Sequence, residues 1–212
     1  MTAVMPAAAP PRRSAPPHRE PDIRSRSVDA LLACIARHGL SKTTLDDVAR
    51  EAGCARASLY RHFGGKRPLV AVAVAAEGER VTAKLRAQTA EQHTLEDAIV
   101  TVMMGAAREL AGHDALRFLL AHEAELVLPF VTFDSGDKFL SHAGRALAPC
   151  FERFLPPDDA ATAGEWVVRL TLAYAYAHAC SADAPVDLAD ETSVRTLVRQ
   201  FVLPGYLPTQ KG

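Results

Sequence analysis

A chain of 212 residues with 24 basic and 25 acidic side chains is too nearly neutral to coat DNA without regard to sequence. It is long enough to bury one good core, or a small domain joined to a larger one. Cys34, Cys54, Cys150 and Cys180 have neither C-x-x-C pairing nor metal-type spacing and sit among apolar neighbours, so they read as buried free thiols rather than a disulfide framework.

Charge is unevenly spread: residues 1–67 hold twelve Lys and Arg against six Asp and Glu, and the rest of the chain holds twelve against nineteen. A basic head on an acidic body suits a nucleic-acid contact at one end only. Residues 1–22, rich in Pro, Ala and Arg, are expected to be a disordered arm whose Arg12, Arg13 and Arg19 are available for phosphates or an adjacent minor groove. The prolines also interrupt any signal-peptide h-region, and no apolar run reaches the roughly 18 residues of a membrane span, so a cytoplasmic chain is expected. Helix 1 is expected from about Arg24 to His38, with Val28, Leu31, Leu32 and Ile35 on one face and Gly39 as its stop.

The segment from Thr43 to Leu69 carries the sharpest signal. Leu45, Val48, Ala49 and Ala52 recur at i, i+3, i+4 and i+7, which buries one face of a short helix. Thr44 suits its N-cap, and Asp46 and Asp47 suit the positive end of its dipole. Gly53 supplies a turn residue free to take φ > 0, and a second short helix follows through Phe63. Arg56, Ser58, Tyr60, Arg61, His62 and Lys66 then fall on one outward arc. Two helices around a Gly turn form a helix-turn-helix, a wedge for the DNA major groove. At the start of its second helix, Arg56 can give two hydrogen bonds to guanine, Ala57 can touch a thymine methyl, and Ser58 and Arg61 reach base edges. Tyr60, His62, Lys66 and Thr44 are better placed for phosphates, which set register without reading sequence.

At these residues the chain resembles the TetR (tetracycline repressor) family of bacterial transcription regulators. Thr44, Val48, Ala49, Ala52, Gly53, Ala57, Ser58, Leu59, Tyr60, His62, Phe63, Lys66 and Leu69 meet its pattern, over about an eighth of the chain. The resemblance implies that Thr44, Tyr60 and Lys66 clamp the DNA backbone. Cys54 replaces the usual Val, a neutral change for a small buried hydrophobe. Ala55 replaces the usual Ser and removes the hydroxyl cap of the second helix, a loss of about 1 kcal/mol.

Helix 4 is expected from Lys66 to about Gln88, with Pro68 tolerated in its first turn, as the lever between head and body. Helix 5 is expected over about Leu95–Leu110, with Ile99, Val102, Met103, Ala106 and Leu110 inward. Helix 6 follows over about Asp114–Leu126, then a Phe-rich loop, then helix 7 over about Asp137–Phe154. Helix 8, about Asp159–Cys180, is apolar nearly all round, and helix 9, about Glu191–Leu203, carries Val194, Leu197, Val198, Phe201 and Val202. No segment reads as a strand. The expected fold is therefore all-α, about nine helices, with a three-helix DNA-binding domain over 23–69 and a ligand-binding and dimerisation domain over 70–212.

A single short recognition helix touches few base pairs, so specific binding calls for a second copy one helical turn of DNA away. Helix 8 offers a surface for it, with small Ala173, Ala175, Ala177 and Ala179 beside Trp166, Leu170, Tyr174 and Tyr176. The resemblance implies that the last two long helices pair in a four-helix homodimer interface. Apolar positions on helices 5 to 8, among them Met103, Phe118, Phe133 and Trp166, are candidates for the wall of a largely apolar effector pocket. His122, Glu123, Tyr174 and His178 are its candidate polar contacts. Plain core packing is the competing reading of the same residues.

Enzyme chemistry finds no support. His113 and His122 are nine positions apart, about 180° around an ideal helix, so H-E-x-x-H zinc spacing is absent. There is no Gly-rich phosphate loop and no G-x-S-x-G, and neither cofactor nor metal is expected. The sequence thus points to a homodimeric, ligand-responsive repressor of a palindromic double-stranded operator. An activator, or a helical ligand-binding module with non-specific DNA contact, is the alternative.

Overall fold

The computed structural model describes residues 22–126, 136–180 and 186–206, without the side chains of 136–138 and 178–180. The expected arm and the Phe-rich loop with Phe133 lie outside the described residues. Every regular element among the described residues is helical: α1 Ile23–Lys42, α2 Leu45–Glu51, α3 Arg56–Phe63, α4 Lys66–Thr89, α5 Leu95–Ala111, α6 Asp114–His122, α7 Gly136–Leu147, α8 Pro157–Cys180 and α9 Glu191–Leu197. The all-α expectation holds.

Two cores form, and α4 enters both. The head core gathers Val28, Leu31, Cys34 and Ile35 of α1, Leu45, Val48 and Ala49 of α2, Leu59 and Phe63 of α3, and Leu69 and Ala73 of α4. The body core gathers Leu85 of α4, Ile99, Val102 and Met103 of α5, Phe151, Val167 of α8 and Val194 of α9. Each fully buried leucine, such as Leu31, Leu59, Leu69 and Leu85, contributes about 1.5–3 kcal/mol. Losing α4's first turn would therefore undo the head, and losing its last turn would undo the body.

Helix ends differ from the sequence expectation where the backbone loses a donor or gains a distant acceptor. α6 stops at His122 rather than Leu126, because Glu123 leaves the helix at φ −140°, ψ 43° to bind α1. The helix expected to reach Phe154 ends at Leu147, and Ala148–Cys150 tightens into a 3₁₀ turn, since Pro149 has no N–H to continue the ladder. α8 starts two residues earlier than expected, at Pro157, where a fixed φ and a missing donor do no harm in a first turn. The C-terminal helix does not run straight to Leu203. It widens into a π-type turn over Val198–Val202 and tightens into a 3₁₀ turn over Leu203–Gly205, which contains Pro204.

α7 and α8 cross at glycines. A Cβ on Gly144 would lie 2.7 Å from Glu165 N and 2.9 Å from Ala161 O, and one on Gly164 would collide with the Gly144 carbonyl. Backbone meets backbone there, which sets the approach of the two helices.

Candidate nucleic-acid interface

The interface is built from α2 upward. Thr44 Oγ1 accepts from Asp47 N at 3.2 Å, and the Asp47 carboxylate accepts from Thr44 N at 3.0 Å and from its hydroxyl at 2.6 Å. This reciprocal cap fixes the start of α2, and hydrogen bonds from Thr44 hold the Asp47 carboxyl below its ordinary value. Arg37 pairs with Glu51 and ties α2 to α1. The chain then turns through Gly53 at φ +64°, as expected for an Ala-Gly turn. Ala55 sits in extended conformation at the N-cap of α3 with no side-chain cap. Cys54, expected to be buried, is half-buried.

Leu59 and Phe63 anchor α3 in the head core and thereby fix what its other face presents. Arg56, Ala57, Tyr60, Arg61 and His62 are exposed along that face, and Ser58 is half-buried beside them. Arg56 is already oriented. Its Nη1 donates to Asp46 Oδ2 at 2.8 Å, its Nη2 lies 3.4 Å from the Tyr60 hydroxyl, and its Cζ sits 5.5 Å from the Tyr60 ring centroid. Sequence reasoning placed Asp46 only at a helix dipole and missed this pairing, because the partners lie on different helices.

Thr44 and Lys66, the other expected phosphate contacts, are engaged within the chain. Thr44 caps α2, and the half-buried Lys66 donates from Nζ to the carbonyl of Leu40. That carbonyl belongs to a seam between head and body. Gly39 breaks the helical path of α1 at φ +86°, and the two amides beyond it find a carboxylate from α6's end. Leu40 N donates to Glu123 Oε2 at 2.7 Å, and Ser41 N to Glu123 Oε1 at 3.1 Å. Partial burial pushes the Glu123 carboxyl up, but the donors Ser41 and Leu40 and the charge of Lys66 outweigh it and hold it below its ordinary value.

The residues expected to line an effector pocket are dispersed. Met103 is fully buried in the body core, and Trp166 is 54% exposed on α8. Tyr174 is half-buried against the body core. Phe118 and His122 meet as tilted rings with centroids 4.6 Å apart on α6, and Glu123 is spent on α1. Phe133 and the side chain of His178 lie outside the described residues. Among the described candidates, Phe118, His122 and Glu123 come together at the seam, while Met103 and Tyr174 share the body core. Recesses of about 480 and 530 Å³ flank that seam, the second bordered by Arg37, Arg117, Phe118 and His122. Among the described residues no group of three or more His, Cys, Asp or Glu could hold a metal ion, and no helix is long and apolar enough to cross a membrane.

Residues 28–73 match the family model described as bacterial regulatory proteins, tetR family. Over those residues the chain carries the TetR-family DNA-binding region. Over 45 residues it is 44% identical to the HTH-type transcriptional regulator SrpR of Pseudomonas putida, an alignment that takes in 21% of this chain and 21% of that relative. The chain thus matches such curated relatives over about a fifth of their length. The fold is shared over nearly the whole chain. The TetR-family repressor AlkX of Dietzia sp. strain DQ12-45-1b superposes with a TM-score of 0.65 at 18% identity, covering 85% of this chain and 95% of that one. The regulator FadR of Bacillus subtilis, solved with stearoyl-CoA, gives a TM-score of 0.60 at 17% identity and covers 84% and 98%. The shared head is the TetR helix-turn-helix, and the body has the TetR helical architecture.

Proposed function

We propose that this TetR-family chain is a transcriptional repressor that binds double-stranded operator DNA as a homodimer and releases it when a small molecule binds. The observation that carries the reading is α3 itself. Its inner side is locked by Leu59 and Phe63, and its outer side offers Arg56, Ala57, Tyr60, Arg61 and His62 to solvent. An eight-residue helix with that outer face matches what a major groove accepts. The names of its relatives, a transcriptional regulator and a repressor, support the same reading.

Dimerisation is supported by apolar side chains that a single chain leaves in water. Trp166 is exposed on α8, and Phe201 is 76% exposed near the C-terminus. The effector reading is supported by the seam, where α6 holds α1 through Glu123 while α4 joins the two cores. A small molecule that shifts α6 or α4 changes the angle of the head, and by linkage operator DNA lowers its affinity by the same factor. Gel shifts of the full chain on its own upstream DNA and on a scrambled duplex, at several salt concentrations, test the function. Preference for the upstream duplex, with affinity falling as salt rises, is expected. Equal binding to both duplexes refutes sequence-specific repression.

A further inference from the structure

We propose that Asp46 is a positioning residue for base reading: it buttresses Arg56 so that the free edge of the guanidinium meets one guanine in each half-site. The proposal deepens the DNA-binding reading above and rests on it. Asp46 shares the first turn of α2 with Asp47, so it adds only a small dipole contribution there. The cap of α2 is made by Thr44 and Asp47, not by Asp46. Its pair with Arg56 is exposed on both sides, and exposed pairs contribute little to stability. A carboxylate on the face meant for a polyanion also opposes binding in general. What it does supply is geometry.

Asp46 Oδ2 takes one Nη1 hydrogen of Arg56 at 2.8 Å, and the Tyr60 hydroxyl stands 3.4 Å from Nη2. The Tyr60 ring lies 5.5 Å from Cζ and limits how the guanidinium can swing. A guanidinium has five N–H donors, so about three remain, and two suffice for guanine O6 and N7. Held this way, Arg56 meets a base already oriented. Freed, it reaches phosphates anywhere on the duplex. Asp46 therefore trades general affinity for preference at one base pair.

The test uses the full chain. Duplexes are selected from a random library with the unsubstituted protein, Asp46→Asn, Arg56→Ala and the double variant, each checked for an unchanged melting temperature. The unsubstituted protein is expected to select a G·C pair at one position in each half-site. Asp46→Asn is expected to bind a scrambled duplex about five-fold tighter, the effect of removing one unit charge near a phosphate in water. Its guanine preference falls about ten-fold, the lower range for a bidentate contact. Adding Asp46→Asn to Arg56→Ala changes the preference no further. A guanine preference that survives Asp46→Asn intact, or that Asp46→Asn alters equally without Arg56, overturns the buttress. A protein that selects no sequence at all overturns the DNA-binding reading together with it.

Discussion

Glu123→Ala tests the seam. In the structure the Glu123 carboxylate accepts from Leu40 N at 2.7 Å and from Ser41 N at 3.1 Å. Hydrogen bonds to a charged group are worth about 1.5–3 kcal/mol when solvent cannot replace them. Here Glu123 and Leu40 are half-buried and Ser41 is exposed, so water recovers much of the loss and about 1–2 kcal/mol is expected for the pair. Glu123→Gln keeps one acceptor but loses the charge that Lys66 attracts, and should fall between the two. Amide hydrogen exchange reads the effect locally: Leu40 and Ser41 should exchange roughly ten-fold faster in Glu123→Ala, since each 1.4 kcal/mol is a factor of ten. Amides of α2 and α3 should not change. Unaltered protection at Leu40 and Ser41 would refute the claim that this carboxylate holds the end of α1. Gly39→Ala approaches the same seam from the other side. Its Cβ would lie 2.7 Å from Glu123 Oε1 and 2.8 Å from Phe118 at a φ of +86°, so it should open the seam as well.

Three further outcomes follow from the fold and the charges. Ala55→Ser restores the hydroxyl that α3 lacks, and urea unfolding should show a gain of about 0.5–1 kcal/mol; no gain means that the exposed turn already satisfies those amides. Gly164→Ala forces a methyl into the Gly144 backbone, and a loss of about 2–3 kcal/mol is expected from overpacking, whereas an unchanged melting temperature would mean that α7 and α8 do not cross closely. Finally, Glu96, Asp97, Glu109 and Glu165 have carboxyls held below their ordinary values, chiefly by hydrogen bonds from Arg199, Thr94, Lys84 and Arg169 respectively. Carboxyls depressed in the folded state bind fewer protons than in the unfolded chain, so their stabilisation is complete at neutral pH and is lost as pH falls below about 4.5 through the folded values. Stability that stays flat from pH 6 to pH 3 would contradict these pairings.

The legible parts of this molecule are those governed by local periodicity. Leu45, Val48, Ala49, Leu59 and Phe63 announce their burial by spacing, so the head and its outward arc follow from the sequence. Gly39 and Gly53 mark their turns because nothing else takes those φ values cheaply. The illegible parts are contacts between distant residues. Glu123 stands 83 positions from Leu40, in a segment whose periodicity continues the helix past it. No local pattern reports that a carboxylate will leave a helix to cap another one. The described candidates for a pocket wall are dispersed for a related reason: Met103 and Trp166 have the same apolar character, yet one lies in the core and the other in water. Helical spacing alone does not tell a cavity wall from packing or from an uncovered face.

Lys66 joins the two kinds of information. Family resemblance assigns it to the DNA backbone, and the structure gives its Nζ to the Leu40 carbonyl beside Glu123. The assignments are compatible, because an ammonium has three donors and the Leu40 carbonyl takes one. They are not independent, because a phosphate at Lys66 would compete with Glu123 for the same charge. Glu123→Gln removes the competitor. On the DNA-binding reading it should strengthen binding to operator and scrambled duplex alike, since a phosphate contact carries no sequence information. The gain should vanish when Lys66 is replaced by Gln as well. A gain confined to the operator, or one that persists without Lys66, would show that the seam acts on α3 by some path other than this shared cation.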